Sequence, residues 1–495
     1  MITQGVSTIL AIAGLMLMTR YLGTEGYGTI VWTLAFLAIF NSIADLGFGS
    51  AHTKRVSEGQ DLNLCVSTFA YLKGVLTLAM AVFVICVIGG WSLFSENPLS
   101  SYSIRIMLVL LVYQILGNLT MIVTITFDAR MQTAKSQLIQ ICDPLTRLPL
   151  LIFVLTNGMG VDIVTLAYLA GGIVAICAAI FQIRRQHIAW QKPKLIHSYT
   201  KWAIPMIVVV VAGAILTQLP TTMIGFFWSK TDVAYFSSAL ALLAYLGILG
   251  SSAMVLLFPT FSKLASEGNF DAIRSASRQG ERYLSLISLP ILTTIIVFPH
   301  QIAGIFFGDA YTSAGEVLPY VAVATYIGLL NLTVSAQVLG MNRADLYMKW
   351  TCLNLVLTVV LLIVLVPSNL FGIQAIGLSY RGAAYASAIS AFASFGVARW
   401  LTYSLTKTKP NQKILKHIAA ATVIGIAMYY AGTFYPVTHW FEAAIYLLIS
   451  LGGFLGILYC LREFTAQDLH FFLDTLNLRK MEHYVTTELS HKKKE

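Results

Sequence analysis

Residues 64 to 90 read LCVSTFAYLKGVLTLAMAVFVICVIGG, a run of 27 in which Lys73 is the one charged side chain. About 20 mostly apolar residues suffice to carry a helix through a hydrocarbon core of about 30 Å. The run is therefore a membrane-spanning helix by length and composition. Lys73 stands nine residues in, which places it about 14 Å deep at a rise of 1.5 Å per residue. Its stem is short for snorkelling from that depth, so Lys73 is expected to face an aqueous cavity or to pair with an acid.

Comparable stretches recur from end to end. Fourteen spans are expected, at 2–20, 29–48, 64–90, 104–127, 138–156, 161–183, 200–227, 232–258, 283–307, 314–340, 346–366, 382–404, 414–432 and 439–461. Composition agrees: 57% of the 495 residues are hydrophobic and 11% charged, against roughly 25% charged in soluble domains. The fold expected is an all-α polytopic membrane protein. The first apolar stretch opens almost at Met1 without a basic leader and runs the length of a full crossing, so no cleavable signal is expected.

A net charge of +10 would suggest nucleic acid in a soluble protein, but here its placement gives it another meaning. Loops after even-numbered spans, with the tail, hold 26 of the 32 Lys and Arg residues, among them Lys54, Arg55, Arg184, Arg185, Lys407 and Lys409. Loops after odd-numbered spans hold Arg20, Arg105, Lys230 and Arg381. By the positive-inside rule both termini are expected in the cytoplasm, in a multi-pass protein of the cytoplasmic membrane. No nucleic-acid partner is implied. The six cysteines lie far apart with no CxxC pairing and read as small buried hydrophobes.

The two halves share landmarks. Thr24-Glu25-Gly26-Tyr27-Gly28 after span 1 corresponds to Asp232-Val233-Ala234-Tyr235-Phe236 after span 7. Val56-Ser57-Glu58-Gly59 corresponds to Ala265-Ser266-Glu267-Gly268, and Arg130-Met131-Gln132-Thr133-Ala134 to Gly340-Met341-Asn342-Arg343-Ala344. Their order and nearly constant offset predict two six-helix lobes of one topology, residues 1–195 and 196–410, then an extra helix pair, 411–461, and a cytoplasmic tail, 462–495. An even number of spans per repeat makes the repeat parallel, about an axis along the membrane normal.

With Thr19-Arg20-Tyr21-Leu22-Gly23, Tyr27-Gly28, Asp45-Leu46-Gly47 and the basic Lys54-Arg55 in view, the chain resembles the polysaccharide-type flippases of the multidrug/oligosaccharidyl-lipid/polysaccharide exporter superfamily. The resemblance implies a V-shaped, two-lobed, alternating-access transporter that moves a polyprenyl- or dolichyl-linked saccharide to the outer leaflet. It also implies partners: the lipid-linked saccharide, membrane lipids, and a polysaccharide polymerase or glycosyltransferases of the same pathway. Some relatives keep an acid in the middle of the seventh helix, where this chain has Gln218; that departure leaves coupling to an ion through the second lobe open.

The ionisable residues within spans carry the reading from the residues themselves, since each costs roughly 2.5–3.5 kcal/mol at mid-membrane. Besides Lys73, Arg147 lies within span 5, with Asp143 one turn before it on the same helix face. The two form either a self-neutralising pair or an anion-binding Arg147 steadied by Asp143. Pro144 and Pro149 loosen the same helix. Asp45 is expected either to cap a helix end and pair with Lys54 or Arg55, or to act in gating. Arg20 and Arg381 sit at outer helix ends, where snorkelling is cheap, unless they face the mouth of a cleft. The substrate path is thus sought among Lys73, Arg147, Asp143, Arg20, Asp45, Arg55, Arg381 and Gln218, and the deep cations favour an anionic cargo.

The chain holds no GxxxxGK[ST] loop, no HExxH and no clustered His/Cys set, so no ATP hydrolysis, metal or other cofactor is expected of it. Two other functions stay open: an ion-coupled exporter of small organic cations with the same fold, and a membrane enzyme of polysaccharide assembly. Acids should dominate the cavity of the first. The second should carry a large outer loop or a reactive carboxylate cluster, and the expected outer loops are short. From Thr465 the tail shows Leu469, Phe472, Leu473 and Leu476 at helical spacing, which predicts an amphipathic helix on the membrane surface.

Overall fold

The computed structural model describes residues 2–94, 99–186, 188–370, 372–464 and 468. The expected tail helix lies outside the described residues, apart from Asp468. The described chain is helical almost throughout. In its first half are α1 (Ile2–Asn41), α2 (Phe48–Ser57), α3 (Leu62–Phe94), α4 (Ser101–Ala129), α5 (Thr133–Thr156) and α6 (Val161–Arg184). Then follow α7 (Ile196–Phe227), α8 (Lys230–Ala244), α9 (Gly247–Ser266), α10 (Phe270–Val297), the short α11 (Pro299–Phe307), α12 (Leu318–Gly340), α13 (Ala344–Leu365) and α14 (Ser379–Thr406). The pair α15 (Gln412–Phe434) and α16 (Trp440–Cys460) closes the described chain. A two-residue hairpin, Asn369–Leu370 with Ile373–Gln374, lies between α13 and α14.

Twelve helical segments among the described residues are long and apolar enough to cross a membrane. Two features account for the difference from fourteen. Expected spans 1 and 2 fall within α1, a single helical run interrupted at Gly23 (φ 66°, ψ −173°), a conformation open to glycine and costly for other residues. Expected span 12 is α14, which is not among the twelve: its buried face is largely Ala, Ser and Gly, which pack closely but contribute little hydropathy. Span 8 is also divided, since α8 ends at Ala244 and α9 begins at Gly247.

The landmark turns share backbone geometry. Gly59 (φ 77°) and Gly268 (φ 66°) are both left-handed, as are Met131 (φ 58°) and Asn342 (φ 56°). Lys54–Glu58 and Lys263–Glu267 form the same one-turn ion pair, at 3.8 and 4.0 Å. The landmark tyrosines, Tyr27 on α1 and Tyr235 on α8, both meet one ring, Tyr311, at centroid distances of 6.2 and 6.3 Å.

Helix α1 packs on α5, α7 and α8 and joins the two halves. A β-carbon at Gly28 would collide with the Lys230 carbonyl, so α1 and α8 approach here at backbone distance. The Trp32 indole donates to the Thr222 carbonyl at 3.1 Å, and the Lys230 ammonium lies 3.1 Å from the centre of the Trp32 ring. Tyr311 donates to the Gly23 carbonyl at 3.0 Å, and Arg20 to the Ile305 carbonyl at 2.6 Å. These contacts hold the halves together at the Gly23 end.

Gly28→Ala should force α1 from α8 and cost about 1–3 kcal/mol, the usual range for overpacking. Thermal unfolding in detergent should show a clear fall in Tm. Gly74→Ala, where the added carbon meets nothing within 4 Å, is expected to leave Tm within a degree or two of wild type.

Candidate functional site

The end of α1 and the start of α2 enclose a sharp bend. Ser42–Ala44 form one tight turn, then Leu46 (φ 44°) and Gly47 (φ 83°) take left-handed backbone. A β-carbon at Gly47 would lie 2.7 Å from that of Met206, so the second half, through α7, packs directly on the bend. Asp45 is held at the bend with its carboxylate turned toward α3. Its Oδ1 stands 3.7 Å from the Lys73 ammonium, which has no exposed surface.

Of the two expectations for Lys73, the paired one is observed. For Asp45 the expected Lys54 or Arg55 partner is not: both of those cations pair with Glu58 on their own helix. The reason is direction. The bend aims Asp45 into the bundle, whereas Lys54 and Arg55 lie in the last turn of α2 and face outward to α7, Arg55 donating to the Ser198 carbonyl at 3.3 Å and Lys54 lying 3.4 Å from the Trp202 ring centre. The Asp45–Lys73 pair is loose, and neither Oδ1 nor Nζ makes a hydrogen bond. One turn before Asp45, Asn41 accepts from buried Asn118 on α4 at 2.5 Å.

A second polar cluster lies on α4, α5 and α6. Arg147 Nε is 3.7 Å from Asp143 Oδ1, and the guanidinium lies 4.5 Å from the centre of the Tyr168 ring. Tyr113 donates to Asp143 Oδ2 at 2.8 Å and accepts from Arg147 Nη1 at 3.5 Å. Helix α6 comes close through Gly171, where a side chain would strike the Asp143 carboxylate. Both charged side chains keep about a fifth of their surface exposed, 21% for Asp143 and 22% for Arg147.

The remaining candidates stand apart from these clusters. Arg20 and Arg381 belong to the Gly23 end; Arg381 pairs with Glu316 at 2.5 Å beside Tyr380, which also donates to Glu316. Arg55 belongs to the α2–α7 contact. Gln218 is partly buried on α7, and among the described residues its side chain makes no hydrogen bond. The eight candidates therefore do not form one constellation.

Tyr113 and Tyr168 escaped sequence reading because a tyrosine in an apolar run gives no sign of its partner. Glu281 and Arg282 fall between the expected spans 232–258 and 283–307, yet both lie on α10, where Glu281 is buried and pairs with Arg399 of α14 at 2.7 Å. The one available signal was a carboxylate beside an arginine at the edge of an apolar run.

At the α2–α7 contact His52 is fully buried, with Nδ1 2.9 Å from the Tyr199 hydroxyl and Nε2 2.9 Å from the Thr126 hydroxyl. Its ring stacks on Phe69 at 4.3 Å. A neutral imidazole serves both contacts, donating through one nitrogen and accepting through the other. Burial pushes its pKa down to about 3.

A family model described as "Polysaccharide biosynthesis protein" matches residues 1–265, more than half of the chain. The chain belongs to this polysaccharide biosynthesis family. Both deep ion pairs fall inside the matched residues. The family member is 22% identical over 382 residues to the "Probable low-salt glycan biosynthesis flippase Agl15" of Haloferax volcanii, covering 76% of each chain. Its fold is that of the lipid II flippase MurJ in an inward closed conformation, with a TM-score of 0.72 at 15% identity over 92% of this chain and 97% of the other. It is also like an inward-facing multidrug resistance transporter of the MATE family, with a TM-score of 0.65 at 16% identity over 82% of this chain and 96% of the other.

Two outcomes are expected. Asp45→Asn strands a buried ammonium and should cost about 3–5 kcal/mol, whereas Asp45→Asn with Lys73→Met should recover much of that loss; a double-mutant cycle of thermal stability checks this. For His52, the unfolded chain takes up a proton near pH 6.5 that the folded chain refuses until about 3. Its contribution to stability is complete above pH 6.5 and is lost as pH falls toward 3. Denaturation profiles between pH 7 and 4 should be flatter for His52→Gln than for wild type.

Proposed function

We propose that this protein is a flippase that carries a lipid-linked saccharide from the cytoplasmic to the outer leaflet of the cytoplasmic membrane, in support of cell-surface polysaccharide or glycan assembly. The observation that carries the reading is the position of Lys73 and Arg147, cations set deep in apolar helices of the segment that matches the polysaccharide biosynthesis family. A lipid-linked diphosphate sugar is an anion, and a cation held by a loose 3.7 Å pair keeps attraction to spare for one. Asp143 and the hydroxyl of Tyr113 steady Arg147 in this scheme, and Asp45 does the same for Lys73.

Both termini face the cytoplasm in this proposal, because Lys and Arg crowd the loops on that side. The Gly23 end then faces outward, and its contacts between α1, α8 and Tyr311 close the outer side. Movement of cargo requires them to break while the α2–α7 contact at the opposite end forms or holds, so the cargo does work by binding the two states unequally. No chemistry is done on the saccharide, and pathway enzymes that make or polymerise it are the expected partners.

Export of small organic cations is the second reading, favoured by the likeness to the multidrug transporter. It suits the paired deep cations poorly.

The test reconstitutes the protein in liposomes with a fluorescent polyprenyl-diphosphate saccharide and follows its accessibility in each leaflet. Wild type should move the lipid, and Arg147→Ala should slow it at least tenfold while remaining folded. Wild-type vesicles that leave the lipid in place yet expel a cationic dye under an ion gradient would reverse the assignment in favour of the second reading.

A further inference from the structure

A mainly apolar groove contains none of the residues discussed above as substrate path. It lies between α15 on one side and α10, α12 and the α14 residues Phe392, Phe395 and Arg399 on the other, with a volume of about 890 Å³; the Glu281–Arg399 pair is its one charged element. On α15 its wall runs through Leu415, Ile418, Thr422, Ile426 and Tyr429, spaced three or four residues apart along one face. From Gln412 to Tyr429 that face is about 26 Å long at 1.5 Å per residue. Leu415, Ile426 and Tyr429 are each more than half exposed, so the groove opens sideways, toward hydrocarbon in a membrane.

At one end the groove changes character. Pro410, Asn411 and Gln412 line both it and a second, polar cleft of about 540 Å³, in which Arg274, Arg278, Lys409 and Lys413 outnumber Asp271. Arg274 is engaged by Asp271 and the Thr406 carbonyl, and Lys413 by Glu463 at 3.2 Å. Arg278 and Lys409 have exposed side chains with no hydrogen bond or ion pair among the described residues. The backbone at the cleft is fixed: Asn411 caps α15 by accepting from Lys413 N–H at 3.1 Å and donates to the Arg278 carbonyl at 2.9 Å. The first turn of α15 therefore brings its positive end to the same place as two unengaged cations.

An apolar channel as long as most of a bilayer core, ending in a basic cleft at a helix N-terminus, has the complementarity of a single kind of molecule. We propose that the groove and cleft together bind a membrane lipid with an anionic phosphate headgroup, its phosphate between Arg278 and Lys409 and its chain along α15. The apolar wall explains why a free phosphate is the poorer occupant, and the unengaged cations explain why a zwitterionic lipid is. Such a lipid would fasten the α15–α16 pair to α10 of the second half. Basic pockets between transmembrane helices at a membrane surface recognise lipid headgroups in this way.

The purified, delipidated full-length protein is titrated with phosphatidylglycerol or phosphatidylcholine and bound lipid is counted by native mass spectrometry. Wild type should retain one phosphatidylglycerol in preference to phosphatidylcholine. The double variant Arg278→Gln/Lys409→Gln should weaken that retention roughly 30-fold, from two cations near a lipid surface, without altering phosphatidylcholine. Thr422→Trp, which fills the groove from an exposed position, should weaken it with both cations in place, and millimolar inorganic phosphate should not displace the lipid. Equal retention by wild type and the double variant overturns the proposal. Displacement by phosphate with Thr422→Trp silent makes the cleft a free-phosphate site, and loss in Thr422→Trp alone makes the groove an unselective apolar surface; either result also overturns it. Translocation is not read in this experiment, so its failure leaves the flippase reading untouched.

Discussion

Inside hydrocarbon a polar group without a protein partner finds no water to replace it, and the cost falls on backbone amides and side chains alike. Helices satisfy the backbone. A buried ammonium needs more, and among the described lysines Lys73 is the most demanding case, with no exposed surface at all. Its neutralising acid does not come from a helix face. It comes from Asp45, in a bend that requires left-handed backbone at Leu46 and Gly47, and the bend in turn packs directly on α7. A substitution at Asp45 or Gly47 therefore acts on the bundle and on the contact between halves together.

The two ends of the molecule are held by different chemistry. At the Gly23 end the contacts are tyrosine edges, a cation over an indole and single hydrogen bonds to carbonyls. Each is worth on the order of 1 kcal/mol, so the closure is a sum of small terms that differential binding of a cargo can overcome. At the opposite end the His52–Tyr199 contact is buried and stacked on Phe69. Separating α2 from α7 there exposes an imidazole and a phenol whose hydrogen bonds water can replace. Among the described residues neither closure contains a buried ion pair between halves, which would be much dearer to open.

The helices were legible in the sequence because apolar length is a one-dimensional property. Two landmark turns were legible as well, since Gly59 and Gly268 need the same left-handed backbone and so the same residue type. What the sequence concealed was partnership. Asp45 was nine residues from Lys54 and 28 from Lys73, and nothing in that spacing shows that a bend turns its carboxylate toward the farther cation. Tyr113 and Asp143 are joined only because α6 has glycines at 171 and 172 that let α4 and α5 close over it. The span count differed for a related reason: α14 packs through Ala, Ser and Gly, and close packing leaves no mark on hydropathy.

The halves also differ in how tightly their buried charges are paired. In the second half Glu281 meets Arg399 at 2.7 Å, and Arg282 meets Glu463 and Asp468 at 2.6 and 2.8 Å. The Arg282 contacts are charge-assisted hydrogen bonds with little left over for a ligand, whereas Arg399 keeps Nε and Nη2 without a hydrogen bond among the described residues. In the first half Lys73–Asp45 and Arg147–Asp143 both stand at 3.7 Å, too long for a hydrogen bond. Attraction between charges in a low-dielectric interior is still strong at that distance, so these pairs offset the cost of burial without exhausting the cation's donors. A phosphate that reaches Arg147, which keeps about a fifth of its surface exposed, competes for its donors, whereas the hydrogen bonds of Arg282 would have to be broken first. On this reasoning the loosely paired Arg147 of the first half is the better placed of these buried cations to meet an anionic cargo.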